Sequence, residues 1–178
     1  MHMKSLIIYF SRADENYFGG SMRHISKGNT EVVAEYIKAI VGADLFKVER
    51  KTPYSKDYMT CIKEAQDEQR RNELPELVKE LPNIDDYDVV FIGGPIYWGT
   101  LPQPMFTQLS KLDFKNKIIM PFSTHEGSGL ASIVRDIKKY APEANIKPGL
   151  AIVGSNVHNS KPLLEKWIKD NKGDWEEK

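Results

Sequence analysis

The sequence has one cysteine, no apolar run of membrane-spanning length, no excess charge of either sign and no clustered histidines. Each shortage removes a class of function. A lone Cys61 cannot close an internal disulfide. With no His or second Cys near it in a polar, helical-reading stretch, it reads as a spectator thiol rather than a nucleophile. No segment approaches the ~20 apolar residues that cross a bilayer, and none reads as a signal peptide, so the expectation is a cytoplasmic protein with no membrane partner. Lys plus Arg and Asp plus Glu number 25 each, which leaves no overall field to attract nucleic acid. His2, His24, His125 and His158 are scattered without ligand spacing, and no metal is expected. His2 carries no weight, because Met1-His2-Met3 resembles residues added for expression. No Gly-x-x-x-x-Gly-Lys-Ser/Thr is present, which disfavours nucleoside triphosphate chemistry.

What is present is an alternation of short apolar runs with helical periods. The 178 residues suit a single domain, 1–178, large enough to bury a core without staples. Residues 6–10, 89–92, 118–122 and 150–153 read as strands buried on both faces, as in a parallel sheet covered by helices. Residues 44–49 alternate more and suit a strand nearer the edge. Pro121 cannot donate to a ladder and is expected near its strand's end. Val32, Val33, Tyr36, Ile37 and Ile40 share a helix face capped by Asn29 or Thr30 and stopped by Gly42. Further helices follow the third strand from about Pro102 or Pro104, the fourth through Leu130, Ile133, Val134, Ile137 and Tyr140, and the fifth through Leu163, Leu164, Trp167 and Ile168. Residues 50–81 are charged, with a thin-faced helix near 58–72, and read as a surface excursion. This order signals an α/β three-layer sandwich on a five-stranded parallel sheet.

Three connections leaving strand carboxyl ends are chemically unusual, and their convergence at one rim is the argument for a site. The first begins at Ser11-Arg12 and ends at Lys27-Gly28-Asn29-Thr30; residues 13–26, with Gly19-Gly20, read as a loop. Hydroxyls, an amide and a helix start suit a phosphate monoester, although Asn and Thr there are also ordinary caps. The second holds Tyr97 and Trp98 beside Gly94, Pro95 and Gly99, where a planar ligand can stack; the same rings also suit packing or a subunit interface. The third, residues 123–129, is small and polar. Its Gly127-Ser128-Gly129 is not a dinucleotide fingerprint, since residue 132 is Ser and no acidic residue follows about twenty positions on. His125 can orient a ring edge or simply hydrogen-bond within its loop.

Taken together and in order, the three loops resemble those of the flavodoxin family. Ser11-Arg12 with Gly28-Asn29-Thr30 is similar to its Ser/Thr-x-Thr-Gly-Asn-Thr phosphate loop, split here by an insertion, with Lys27 in place of a hydroxyl. Gly94-Pro95-Ile96-Tyr97-Trp98-Gly99 resembles the second loop of the branch with a Pro-Ile-Trp-Trp-Gly signature, and residues 123–129 the third loop. The resemblance implies a sheet ordered 2-1-3-4-5, as in flavodoxin itself, with FMN at the switch point between the first and third strands. It implies that Ser11, Arg12, Lys27, Gly28, Asn29 and Thr30 hold the phosphate. Pro95, Ile96, Tyr97, Trp98 and Gly99, with Thr124, His125, Glu126, Gly127 and Gly129, would hold the isoalloxazine, Tyr97 or Trp98 lying against its face. Tyr17, Phe18 and Arg23 of the insertion would fold over the cofactor or meet a partner. The uninterrupted run 150–153 differs from long-chain flavodoxins, whose fifth strand is broken; the extra length lies at 50–81.

The implied function is electron transfer between a reductant and an acceptor, either a redox partner protein or a small molecule. The neutral charge argues against steering to a basic partner. Scarce positive charge near the ring would disfavour an anionic reduced flavin, and a peptide carbonyl near Gly99 would accept from reduced N5–H. The alternative is an NAD(P)H-dependent FMN oxidoreductase acting on quinones or similar acceptors.

Overall fold

A computed structural model of the chain describes residues 3–176; Met1 and His2 lie outside them. The strands are β1 (Ser5–Tyr9), β2 (Asp14–Phe18), β3 (Ser21–Ile25), β4 (Asp44–Lys47), β5 (Val89–Pro95), β6 (Ile118–His125), β7 (Asn145–Ile146) and β8 (Leu150–Val153). The helices are α1 (Asn29–Val41), α2 (Tyr58–Arg70), α3 (Gln103–Leu109), α4 (Ile133–Tyr140) and α5 (Lys161–Glu176), with a 3-10 helix over Gly154–Asn159.

The main sheet runs β4-β1-β5-β6, with β7 and β8 both on the outer side of β6, and all its pairings are parallel. Counted by lanes this is the order 2-1-3-4-5. The apolar runs split by parity, as strand geometry demands. Leu6, Ile8, Val90, Ile92 and Ile119 face one core with Cys61 and Ala65 of α2, Met105 and Phe106 of α3, and Ile133 and Ile137 of α4. Ile7, Tyr9, Val89, Phe91, Ile118 and Met120 face the other core with Val33 and Ile37 of α1 and Leu164 and Trp167 of α5. Each fully buried aliphatic side chain contributes ~1.5–3 kcal/mol, so the sheet is the rigid part.

Several local expectations change. Residues 13–26 are not an irregular loop: β2 and β3 pair antiparallel across Gly19-Gly20 as a separate two-stranded ribbon, and both glycines have positive φ, as a two-residue hairpin turn requires. Pro121 sits inside β6, not at its end. Ile119 accepts from the Lys147 N–H on the outer side of β6, and two residues on Pro121 faces the same side. There the fifth lane is itself broken, between β7 and β8, so the missing N–H meets no strand. That break lies just before the apolar run at 150–153. The expected helical reach of Leu130 is also shorter, since α4 starts at Ile133.

Candidate functional site

The carboxyl ends of β1, β5 and β6 carry the three loops to one rim, at the switch point where the chain passes from β4 across β1 to β5. A cleft of about 240 Å³ opens there. It is lined by Arg12, Asn29 and Thr30 from the first loop, Pro95, Ile96 and Tyr97 from the second, and Thr124, His125, Glu126 and Ser128 from the third. Asn16 and Tyr17 of the hairpin and Tyr58 of α2 complete the wall.

At the α1 end the N-cap is Gly28, not Asn29 or Thr30, and its own side makes no cap. Ser11 Oγ takes that role at a distance, accepting from the Glu31 N–H at 3.0 Å. The N–H groups of Asn29 and Thr30, in the first turn, have no acceptor within the helix. A Cβ on Gly28 would stand 2.1 Å from Ser11 Oγ and 2.6 Å from the Arg12 carbonyl oxygen, so only glycine lets the strand end and the helix start close into a cradle. Buried Thr30 Oγ1 meets Thr124 Oγ1 at 2.8 Å, tying the first loop to the third. A Cβ on Gly154 would fall 2.5 Å from Asn29 Nδ2 and 2.6 Å from Glu126 Oε1, so that glycine keeps room for both polar ends. Lys27 turns outward to Glu35, 2.8 Å away, and is not part of the lining.

The second loop is a tight turn in which Tyr97 and Thr100 exchange main-chain bonds of 2.7 and 3.4 Å. Its central residues, Trp98 and Gly99, have φ of 54° and 84°, the backbone of a type I′ turn. Trp98 is strained there. Its indole Nε1 donates to the Ile62 carbonyl at 2.7 Å, and Gln69 Nε2 donates to the carbonyls of Tyr97 and Trp98. Trp98 therefore leans over α2, 47% exposed, while Tyr97 lines the cleft and packs edge-on against Phe10 and Tyr54. The Gly99 carbonyl already accepts from the Ser132 N–H, which turns it toward α4. Burial pushes the Tyr97 phenol well above its ordinary range.

In the third loop, His125 Nδ1 accepts from the Gly127 N–H at 2.9 Å. Neutral His125 then carries its proton on Nε2, leaving that nitrogen as a donor. Gly127 and Gly129 shape the turn but do not line the cleft. Beside the cleft, an apolar recess of about 230 Å³ is shared by Tyr58, Cys61, Ile62, Ala65, Ile96, Tyr97 and Trp98. Burial pushes the Cys61 thiol up, only partly opposed by Arg12, so it is no activated nucleophile.

Asn16 and Tyr58 are the lining residues that sequence reasoning missed. Tyr58 was hidden in a helix with little apolar period; its signal is the Asp57 cap, whose Oδ2 accepts from the Thr60 N–H and fixes the helix start beside the cleft. One cation, Arg12, lies in the wall of the cleft.

Does this donor set fit FMN? The Gly28 cradle, first-turn N–H groups and threonine hydroxyls suit a phosphate monoester. Polar Asn29 and Glu126 suit a polyol, and Tyr58, Tyr97 and His125 suit a planar heteroaromatic edge and face. The residues fit the group. Among the described residues no cluster of His, Cys, Asp and Glu could hold a metal ion, and no helix is long and apolar enough to cross a membrane.

No curated protein matches the chain. Among solved structures, a protein described as a flavoprotein from Bacteroides uniformis ATCC 8492 is 22% identical, covering 95% of this chain and 99% of its own, with a TM-score of 0.73. One so described from Bacteroides eggerthii DSM 20697 is 27% identical over 91% of this chain and 98% of its own, with a TM-score of 0.68. A flavoprotein in complex with FMN from Lactobacillus acidophilus NCFM is 24% identical over 88% and 97%, with a TM-score of 0.60. The family model described as Flavodoxin matches residues 20–171; with the sheet order and the rim of three loops, this chain belongs to the flavodoxin family.

Proposed function

We propose that the chain binds FMN in this cleft and passes electrons between a reductant and an acceptor. The observation that carries the reading is the convergence of three rim loops on one cleft whose α1 end only glycine can close. FMN, when bound, supplies the capacity to take up and release electrons. The chain's part is positioning: α1's first turn and the hydroxyls of Ser11 and Thr30 bind the phosphate, while Tyr58 and Tyr97 flank the ring. Neutral His125, with its proton on Nε2, donates to the ring's polar edge. The hairpin, through Asn16 and Tyr17, excludes water from one side.

The apolar recess beside Tyr97 favours a second reading, an NAD(P)H-dependent FMN oxidoreductase acting on quinones or similar small acceptors. One experiment separates the two. Chain loaded with FMN is mixed anaerobically with NADH or NADPH, and a quinone is then added. Steady nucleotide consumption supports the reductase; reduction only by dithionite or a reductase protein supports the carrier; a chain that takes up no FMN refutes both.

A further inference from the structure

The resemblance puts Arg12 with the phosphate, but its side chain goes elsewhere. Nε donates to the Glu15 carbonyl at 3.2 Å, and the two terminal nitrogens to the carbonyls of Ser55 and Lys56 at 2.8 and 2.9 Å. All three acceptors belong to the hairpin and the approach to α2, not to the start of α1. Arg12 is among the residues lining both the cleft and the apolar recess, with Tyr58 and Tyr97.

Three carbonyl acceptors hold Arg12 without neutralising it. Among the described residues no carboxylate lies within ion-pair distance of it. The acids of the neighbouring segments accept from main-chain N–H groups: Glu15 Oε1 from Tyr58, Glu64 Oε1 from Ser55 and Asp57 Oδ2 from Thr60; of these, Asp57 also feels the Arg12 charge, without an ion pair between them. The same positive charge opposes the upward push that burial gives Tyr58, Cys61 and Tyr97, so its field reaches the second-loop end.

From this we infer that Arg12 is a fixed cation that stabilises negative charge on the ring of a flavin in the cleft, and not a ligand of its phosphate. The inference rests on the FMN reading above. It makes Arg12 a tuning residue. Reduction by two electrons with uptake of one proton leaves the ring anionic, and a rigid guanidinium in a partly dry wall favours that product. Sulfite probes the same property without net reduction: its sulfur lone pair forms a bond to flavin N5, and the displaced electron pair leaves the ring anionic.

The test uses wild type, Arg12→Gln and Arg12→Lys, each loaded with FMN and separately with riboflavin, which lacks the phosphate. Wild type should bind sulfite at least tenfold more tightly than free FMN does. Arg12→Gln should lose that factor and lower the two-electron midpoint potential by about 30 mV, the equivalent of tenfold, with either flavin. Arg12→Lys, which keeps the charge but not the fork, should stay within threefold of wild type. A glutamine variant that loses FMN affinity but not riboflavin affinity, at unchanged potential, would make Arg12 a phosphate ligand and overturn the inference. Equal behaviour of the two variants would also overturn it. If the glutamine variant does not fold, wild type decides: sulfite binding no tighter than to free FMN refutes the role of Arg12. A wild-type chain that binds no flavin refutes the proposed function itself.

Discussion

The two sides of the cleft are built differently. On the sheet side, the loops leave β1, β5 and β6, whose side chains are buried on both faces. On the other side, the hairpin β2–β3 and α2, which buries only a thin apolar face through Cys61 and Ala65, depend on polar latches: Arg12 to the carbonyls of Ser55 and Lys56, Glu15 to the Tyr58 N–H, and Trp98 to the Ile62 carbonyl. Behind them, Glu68, only 1% exposed, takes the Tyr54 hydroxyl and the Arg50 guanidinium. Hydrophobic burial fixes where the three rim loops stand; directional bonds fix the opposite wall of the cleft. Polar latches open at lower free energy than a two-faced core, so the second side is the one that can move.

Breaking the latch and leaving the sheet alone should give the largest effect. Glu68→Leu strands Arg50 and the Tyr54 hydroxyl and should cost about 3 kcal/mol in denaturant unfolding, with exchange protection lost first around α2. Gly28→Val attacks the sheet side instead: main-chain atoms of Arg12 stand in the way, and FMN affinity should fall about a hundredfold, or ~2.7 kcal/mol, by calorimetric titration. Tyr58→Ala and Trp98→Ala sharpen the contrast within the wall. The first should weaken FMN about tenfold through lost ring contact, the second less than about twofold, because Trp98 does not line the cleft and Gln69 still ties the turn to α2 through the carbonyls of residues 97 and 98.

The smallest effect is a pH dependence confined to the wall. The Thr60 hydroxyl and N–H hold the Asp57 carboxyl below its ordinary value. With the folded pKa depressed, the cap's contribution to α2 is complete above the unfolded value of about 3.9 and is lost as pH falls through the lower folded value. Far-UV circular dichroism of wild type should show this acid loss of helix; Asp57→Asn should lack it.

The same division explains what could be read from the sequence. Continuous runs such as Val89 to Ile92 announce strands buried on both faces, and the chemistry of Gly28-Asn29-Thr30 and residues 95–99 marks the rim. The hairpin carries no apolar alternation, since both strands are largely exposed or half-buried; only Gly19-Gly20 betrayed its turn. Pro121 misled because a lost donor matters only where a partner strand exists, and the break between β7 and β8 was not visible in the run that follows it. Arg12 could be placed beside the first strand from sequence, but its direction depends on carbonyls more than forty residues away. Side chains whose partners are distant main-chain atoms leave no local pattern to read.

Hydrogen exchange by mass spectrometry, with and without FMN, reads both sides of the cleft at once. Added FMN should slow exchange at residues 28–31, 95–100 and 124–129 and, to a larger extent, in the hairpin and at 55–62, where the free protein opens most readily. Protection confined to the three rim segments, or absent throughout, would contradict a cofactor enclosed by a sheet-borne anchor and a polar-latched wall.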